Sequence, residues 1–261
     1  MLEITSAENE KLKQLSRLCR EKKLRDELGI CVLDGAKLCA DAEAGGLTVL
    51  QLWLSEDAAE RYGDILQRVI AAAEECYILR AKAAAKLSEL KAPQGVFALV
   101  KRPEEVSVSQ LAGHSRILGL CSLQNPENVG AAIRTAAALG YGGVLLSADC
   151  ADAWSPRALR AGAGCQLQTD IAVAQDFAAA VSQLNDAGIT TLASALHTDA
   201  VELGNVEKTP HMFIAIGNEG HGLPQSVIEA SSSAVVIPMS ERAESLNAAA
   251  AAAILLWELR A

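Results

Sequence analysis

Short apolar runs alternate along this chain with longer segments in which apolar residues recur every three or four positions. Short apolar runs next to glycine, proline or aspartate are typical of buried strands, whereas the three-to-four spacing is typical of helices. In the first part of the chain, this pattern predicts strands at residues 30–33, 49–54, 77–79 and 95–100. Helical patterns lie between them, so the first part is predicted to be a small α/β domain.

The second part of the chain alternates more regularly. Its apolar runs predict strands at residues 117–121, 143–147, 190–194, 212–217 and 234–238, and helical patterns cover residues 129–139, 156–161 and 174–187. Strands that are apolar throughout and alternate with helices indicate a parallel sheet that is covered on both faces. A stretch with proline, serine and glycine between the two parts predicts a linker, which gives domains at residues 1–103 and 112–261.

Three polar loops follow apolar strands of the second domain, at residues 125–130, 217–224 and 237–247. Parallel sheets bind ligands beyond the carboxyl ends of their strands. These three loops are therefore the candidate functional site.

The first loop leads into a predicted helix that carries a single charged residue, Arg134, among alanine, isoleucine and threonine. A lone charge is costly to bury without a partner, so Arg134 is either a functional residue or a side chain that extends to the surface. Asn125, followed by Pro126, fits a helix N-cap as well as a ligand contact. Both interpretations are open on the sequence alone.

The second loop holds three glycines within six residues, which allow the backbone to approach a ligand closely or to take a positive φ. It has neither the lysine of a phosphate-binding loop nor a G-x-G-x-x-G pattern. His221 fits a general base or a solvated loop histidine. In the third loop, Ser245 and Asn247 are two candidate caps for the alanine-rich helix that follows, where one cap suffices.

Composition narrows the function further. The net charge is −9 and aromatic residues make up only 3% of the chain, which disfavours a protein that stacks RNA bases on aromatic side chains. The seven cysteines include no C-x-x-C pair, so we expect reduced thiols and no metal site. No apolar run approaches the roughly 18 residues of a membrane span, and the N-terminus does not resemble a signal peptide, so we expect a cytoplasmic protein.

Positive charge is concentrated between residues 11 and 25, where seven cations accompany a single anion. Contacts to phosphates dominate the affinity of proteins for nucleic acids, so this segment is the candidate RNA-binding surface. Its cations are Lys11, Lys13, Arg17, Arg20, Lys22, Lys23 and Arg25.

Together, the three loops resemble the motifs of the SpoU (TrmH-like) family of RNA ribose 2′-O-methyltransferases. The matching segments are NPENVGAAIR at 125–134, IGNEGHGL at 216–223 and IPMS…ESLN at 237–247. The first domain is similar, less specifically, to the L30e-like substrate-binding domain of that family. The resemblance implies a SPOUT-class fold with a C-terminal trefoil knot, which is a rare exception among protein folds. It also implies S-adenosylmethionine as the cofactor and a homodimer formed through the knotted domain.

The resemblance assigns roles to single residues. It places Arg134 nearest the ribose hydroxyl, where a guanidinium is a better electrostatic stabiliser and phosphate ligand than a base. The catalytic residues that it implies are Arg134, Asn128, Glu219, Ser245 and Asn247. The cofactor contacts that it implies are Gly217, Ile237, Leu246 and Leu196.

Ribosomal RNA is the expected substrate, by analogy with the type of the N-terminal domain, and transfer RNA is the alternative. Three other functions are compatible with parts of the sequence. A non-catalytic RNA-binding protein of the same fold is disfavoured by the intact motif residues. A nucleotide hydrolase would need a lysine and metal-binding carboxylates. A small-molecule methyltransferase would suit the acidic net charge, but the basic segment and the separate first domain favour RNA.

Overall fold

The computed structural model describes residues 1–88, 94–197, 199–218, 220–240 and 245–260. The strands in these ranges are β1 (Leu2–Ile4), β2 (Ile30–Asp34), β3 (Val49–Ser55), β4 (Glu75–Leu79), β5 (Val96–Lys101), β6 (Arg116–Leu120), β7 (Gly143–Ser147), β8 (Asp170–Ala174), β9 (Thr190–Ser194), β10 (Val201–Glu202), β11 (Met212–Ile216) and β12 (Ser233–Val236). The helices are α1 (Glu10–Arg20), α2 (Lys22–Leu28), α3 (Ala36–Ala44), α4 (Glu56–Ala72), α5 (Ala81–Ser88), α6 (Val108–Leu111), α7 (Pro126–Ala138), α8 (Pro156–Ala161), α9 (Phe177–Asp186), α10 (Gln225–Ala230) and α11 (Ala248–Leu259). None of these helices has the length and apolar character that crossing a membrane requires.

The chain divides into two compact units. The first contains Met1–Pro103 together with Trp154–Leu167, and the second contains Glu104–Ala153 and Gln168–Ala261. The hydrophobic pattern gave no indication that the segment Trp154–Leu167 packs with the first unit. The domain boundaries derived from the sequence remain a prediction.

The first unit is built on a five-stranded mixed sheet with the order β1-β4-β3-β5-β2. Strands β1, β4 and β3 run parallel, and β5 is antiparallel to both of its neighbours. Helix α1 buries Leu12, Leu15 and Leu18, which recur at the spacing of one helical face. In the same core, the rings of Trp53 and Tyr77 stack with their centroids 4.2 Å apart.

A half-buried ion pair joins the segment Trp154–Leu167 to the rest of the first unit. The carboxylate of Asp34, at the end of β2, lies against the guanidinium of Arg160. Burial raises the pKa of Asp34, and the adjacent Arg160 opposes that shift. The guanidinium of Arg102 also lies over the ring of Trp154, 5.7 Å from its centroid. These contacts are far apart in sequence, which is why periodicity alone could not assign the segment.

The second unit is built on a seven-stranded sheet with the order β10-β12-β9-β11-β6-β7-β8, in which every pair is parallel. Strands β6, β7 and β11 are buried along their whole length, as expected for a parallel sheet with helices on both faces. The predicted fold class, an α/β chain with a parallel sheet in its second part, is confirmed. The trefoil knot remains a prediction.

The C-terminal helix α11 packs on α7 and is held at its carboxyl end by two buried side chains. Arg116, at the start of β6, donates to the carbonyl of Leu259 (2.9 Å) and also to those of Ser115 and Pro210. The hydroxyl of Tyr141 donates to the carbonyl of Leu256 (3.2 Å), and burial raises the pKa of Tyr141 to about 12. The last carbonyls of a helix have no partner within the helix, so these donors satisfy groups that would otherwise be buried unpaired.

Replacement of Arg116 by methionine is expected to destabilise the protein by about 3 kcal/mol, because it removes the donor to the carbonyl of Leu259, at the end of α11, and to the carbonyl of Pro210. Urea unfolding measures the change. Arg61→Met is the matched control, since Arg61 is exposed on α4 and has no polar partner among the described residues. We expect the control to change stability by less than about 0.5 kcal/mol. Equal effects of both substitutions would contradict this role of Arg116.

The seven cysteines are all free thiols. Burial raises the pKa of several of them, that of Cys19 to about 12, so they are present as neutral side chains at neutral pH. In the part of the chain that the structure describes, no three histidine, cysteine, aspartate or glutamate side chains are grouped so as to hold a metal ion.

Candidate active site

A cavity of about 560 Å³ lies in the second unit, beyond the carboxyl ends of three adjacent strands. The segments after β9, β11 and β12 and the first turns of α11 form its wall. Residues at these four places include Leu196, Gly217, Asn218, Ile237, Ser245, Leu246, Ala248 and Ala251. The cavity therefore lies where a parallel sheet is expected to bind its ligand, and it contains two of the three loops selected from the sequence.

The loop after β11 is organised by the side chain of Asn218. Its Oδ1 accepts hydrogen bonds from the backbone N–H groups of Gly220 (2.8 Å) and His221 (3.3 Å). Its backbone pairs with that of Gly222 in both directions, at 3.1 and 2.9 Å. One asparagine thus closes the loop into a tight turn along the cavity wall.

Two glycines are required by the shape of this turn. A Cβ at Gly217 would lie 2.3 Å from the carbonyl carbon of Gly222 and 2.5 Å from the N atom of Leu223, both of which are backbone atoms. Gly222 has a φ of +67°, a conformation that other residues rarely adopt. Gly217 therefore allows two backbone segments to approach closely, and Gly222 allows a positive φ. These are the two properties of glycine for which the sequence singled out this loop.

The third loop ends in a polar contact with the first. Asn247 is the N-cap of α11, and its Oδ1 accepts from the N–H groups of Ala249 (2.9 Å) and Ala250 (3.3 Å). Its Nδ2 donates to Oδ1 of Asn128, on the first turn of α7, at 3.2 Å. Asn247 therefore caps a helix and also links the cavity wall to the helix that carries Arg134.

Arg134 lies on the exposed face of α7, opposite the buried face that includes Val129 and Ile133. No described residue gives its side chain a hydrogen bond or an ion pair. The cost of burying a lone charge does not arise, because the guanidinium is in solvent. Asn125 caps the same helix, with its Oδ1 accepting from the N–H of Glu127 at 2.9 Å.

A hydrogen bond connects the segment after β6 with the second loop. Nδ2 of Asn218 donates to the carbonyl of Ser122 at 2.9 Å. Ser122 has a φ of +58°, in the left-handed region that glycine favours. The segment between β6 and the first loop is thus joined to the second loop by a residue whose backbone conformation is unusual.

Comparison with known proteins identifies the family. The model of the SpoU rRNA methylase family matches residues 115–257, more than half of the chain, and a model of an MRM3-like substrate-binding domain matches residues 9–98. The chain belongs to the SpoU rRNA methylase family. The 23S rRNA guanosine 2′-O-methyltransferase RlmP of Bacillus subtilis is 30% identical to it over 260 residues, which cover all of both chains. The family predicted from the three motifs is confirmed.

Solved structures of related methylases have the same fold as this SpoU methylase. An rRNA methyltransferase from Sinorhizobium meliloti, described as bound to AdoMet, superposes with a TM-score of 0.82 at 26% identity and covers 98% of this chain and 96% of its own. A structure described as an RNA 2′-O ribose methyltransferase superposes with a TM-score of 0.78 at 29% identity, covering 99% and 98%.

The structure brings most of the predicted site residues of this SpoU methylase to one region. The four predicted cofactor contacts, Gly217, Ile237, Leu246 and Leu196, all line the cavity, as does Ser245. Asn128 and Asn247 are hydrogen-bonded beside it. Glu219 lies outside the described residues. The roles assigned to these residues remain predictions.

The predicted RNA-binding cations are mostly paired with acidic side chains. Lys11 contacts Glu75, Lys13 contacts Glu8 and Glu10, and Arg17 contacts Glu21. Lys22 and Lys23 pair with Asp26 and Glu27 on α2, and Arg20 also has an interaction. These pairs are exposed, and exposed ion pairs are weak enough for a phosphate to replace the carboxylate.

Arg25 does not fit the phosphate contact predicted for it. It is only 2% exposed, and its Nη1 donates to the carbonyl of Leu18. The guanidinium stabilises the end of α1 from inside the first unit, so it is not available at the surface. Charge counting along the sequence missed this, because it takes no account of which face of α2 is buried.

Sequence reasoning also passed over two polar residues of the site. Asn218 was part of the second motif, but no role was given to it, although asparagine next to glycine is a common turn former. Ser122 carried no signal at all, because a serine gives no indication of positive φ.

Proposed function

We propose that this SpoU methylase transfers the methyl group of S-adenosylmethionine to a ribose 2′-hydroxyl of ribosomal RNA. The observation that carries the proposal is the hydrogen bond between Asn247 and Asn128. It joins the loop that lines the cavity to the helix that carries Arg134. The proposed cofactor pocket is thereby connected, by a direct side-chain contact, to the helix that carries the cationic residue proposed for the acceptor.

The cavity fits the cofactor. Its volume of about 560 Å³ is within the ordinary range for small-molecule sites. Apolar side chains such as Leu196 and Ile216 suit an adenine ring, and the polar backbone of the loop at Gly217 supplies hydrogen-bonding groups at fixed positions. When bound, S-adenosylmethionine supplies an electrophilic methyl group on a sulfonium.

In this proposal, residues of the chain position the ribose hydroxyl and stabilise the negative charge that develops on its oxygen. Methyl transfer requires the hydroxyl oxygen to be held in line with the methyl carbon and the sulfur. Arg134 is free to bind the phosphate next to the target ribose and to stabilise the negative charge on the oxygen as the hydroxyl loses its proton to water. A guanidinium stays protonated at neutral pH, so it acts as a charge rather than as a base.

The neighbouring polar residues complete this arrangement. Asn128 and Asn247 fix α7 and the third loop relative to each other through their hydrogen bond. Ser245 lies at the cavity wall, and we assign its hydroxyl to holding the cofactor or the target nucleotide. Glu219 follows Asn218 in the second loop, and we assign it to holding Arg134.

Ribosomal RNA is preferred to transfer RNA as the substrate for two reasons. The relative RlmP acts on 23S rRNA and matches this chain along its whole length. Residues 9–98 match the model of an MRM3-like substrate-binding domain. The exposed cations of α1 and α2 supply the phosphate contacts, and the enzyme works in the cytoplasm, where bacterial ribosomes assemble.

The substrate proposal is tested by supplying labelled S-adenosylmethionine with ribosomal RNA and transfer RNA in separate reactions. We expect incorporation into ribosomal RNA at a rate at least about tenfold above that into transfer RNA. Preferential labelling of transfer RNA would assign the enzyme to the alternative substrate. Labelling of neither pool by an enzyme that binds the cofactor would point to a ribosomal precursor particle or to a small-molecule acceptor.

A homodimer forms, in this proposal, through the exposed face of α11. Ile254 and Trp257 are 41% and 56% exposed and lie three positions apart on that helix, so they form an exposed apolar patch on one face. Ala250, four residues before Ile254, is also exposed and allows a second helix to approach closely. Ala251 lines the cavity, so a bulky residue there would disturb the cofactor site as well as any dimer.

Ile254→Asp is expected to convert dimers into monomers, because a charge would be placed in an apolar contact between copies. Sedimentation velocity measures the change. Ile65→Asp is the matched control, since Ile65 is a 55% exposed isoleucine on α4 in the first unit. An Ile254→Asp variant that stays dimeric would exclude this face as the interface.

A further inference from the structure

A compact group of polar side chains lies at the carboxyl ends of β6 and β7, outside the cavity wall. The carboxylate of Asp149 accepts a hydrogen bond from the hydroxyl of Ser122 at one oxygen (2.6 Å) and from that of Ser147 at the other (2.5 Å). The hydroxyl of Ser147 in turn accepts from the backbone N–H of Ser122 (2.8 Å). Ser122 is therefore held at its N–H and at its side chain.

These contacts occur at a residue with an unfavourable backbone conformation. A residue with a Cβ is disfavoured at the φ of +58° that Ser122 adopts, and it keeps that conformation only where its surroundings enforce it. The two hydrogen bonds to Ser147 and Asp149 are interactions that enforce it. The hydroxyl donors hold the pKa of Asp149 below its ordinary value, so the carboxylate remains an acceptor at neutral pH.

The left-handed turn directs the carbonyl of Ser122 towards the second loop, which lines the cavity. That carbonyl accepts from Nδ2 of Asn218 at 2.9 Å and from Nε2 of Gln124 at 3.1 Å. Because the other end of the Asn218 amide receives the N–H groups of Gly220 and His221, the position of the amide sets the shape of the loop. A chain of hydrogen bonds thus runs from Asp149 through Ser122 and Asn218 to the cavity wall.

We propose that Ser122 and Asp149 are positioning residues for cofactor binding, which act by holding the left-handed turn whose carbonyl fixes Asn218. The proposal rests on the use of this cavity by S-adenosylmethionine. Neither residue lines the cavity, so their effect on affinity is transmitted through Asn218. If the two residues had a purely structural role, their substitution would lower the stability of the protein and leave the affinity of the folded protein for S-adenosylmethionine unchanged.

Two substitutions at Ser122 separate these roles. Ser122→Ala removes the hydroxyl but keeps the Cβ, so the turn loses its hydrogen bond to Asp149 while its conformational cost remains. Ser122→Gly removes the hydroxyl and also the Cβ, so the left-handed conformation becomes freely accessible. We expect the alanine variant to bind S-adenosylmethionine about tenfold more weakly than the wild type, and the glycine variant to bind within about threefold of it.

A second pair of variants tests transmission through Asn218. Asp149→Asn removes the charged acceptor, and we expect it to weaken cofactor binding about tenfold in the wild-type background. In an Asn218→Ala background the same substitution should weaken binding less than about twofold, because the connection is already broken. Asp176→Asn is the matched control, since Asp176 caps α9 away from this group and asparagine caps equally well.

Isothermal titration calorimetry of the full-length protein measures these affinities, with thermal unfolding recorded for every variant. Wild-type affinity in Ser122→Ala would overturn the proposal, as would a Ser122→Gly variant as weak as the alanine variant. Additive effects of the Asp149 and Asn218 substitutions would also overturn it. Absence of binding by the wild type would instead overturn the assignment of the cavity to S-adenosylmethionine.

Discussion

Arg134→Ala is expected to reduce the rate of methyl transfer about 10²- to 10³-fold while leaving the affinity for S-adenosylmethionine within about twofold of the wild type. The guanidinium is the charge that binds the phosphate and stabilises the developing alkoxide, so its loss raises the barrier of the chemical step. It is exposed, it has no polar partner among the described residues, and it does not line the cavity. Its removal should therefore disturb neither folding nor the cofactor.

Single-turnover rates with ribosomal RNA and calorimetric titration with the cofactor measure the two quantities separately. Arg134→Lys is the informative companion, because it keeps the charge and loses the planar donor geometry. We expect its rate to lie between those of the wild type and the alanine variant. A loss of cofactor affinity as large as the loss of rate would show that Arg134 belongs to the cofactor site.

Gly217→Ala is expected to weaken S-adenosylmethionine binding about 100-fold. The added Cβ would lie 2.3 Å from the carbonyl carbon and 2.5 Å from the carbonyl oxygen of Gly222. Backbone atoms cannot rotate away as a flexible side chain can, so the turn closed by Asn218 must open. The cavity wall would then change shape along the whole loop.

The same loop offers a control for this substitution. At Gly220 an added Cβ would meet only Oδ1 of Asn218, at 3.4 Å, which is ordinary van der Waals contact. We expect Gly220→Ala to change the affinity less than about threefold. Similar affinities for the two alanine variants would mean that the turn at Gly217 does not form part of the cofactor site.

Most of the secondary structure could be predicted from the hydrophobic pattern because it depends on local periodicity. The strands predicted at 143–147 and 190–194 have the same bounds as β7 and β9, and helix α8 covers the predicted residues 156–161. Strand β8 was missed. Its residues 171–174 form an apolar run of four, but the last of them, Ala174, was assigned to the helix predicted at residues 174–187.

The candidate site could be located from the sequence because its residues lie in three loops that follow strands. What the sequence could not show is how the loops contact one another. The pairing of Asn247 with Asn128 joins residues 119 positions apart, and that of Asn218 with Ser122 joins residues 96 apart. Such contacts are set by strand order in the sheet, which local patterns do not encode.

The availability of charged side chains at the surface was the property that the sequence predicted least well. The seven cations between residues 11 and 25 suggested one basic surface, but acidic partners one helical turn away or on β4 neutralise much of it. Arg25 is inside the first unit. Whether a cation is available for phosphate depends on its neighbours in space, and a linear count ignores them.

The central claim is that the methyl group is transferred to a ribose 2′-oxygen. Alkaline hydrolysis of the labelled RNA product tests this claim most directly. Alkali cleaves RNA through the 2′-hydroxyl, so a nucleotide methylated at that oxygen resists cleavage of its 3′ linkage. We predict that, after complete hydrolysis, the label from S-adenosylmethionine is recovered in alkali-stable dinucleotides. Recovery of the label in mononucleotides would show methylation of a base and would contradict the account.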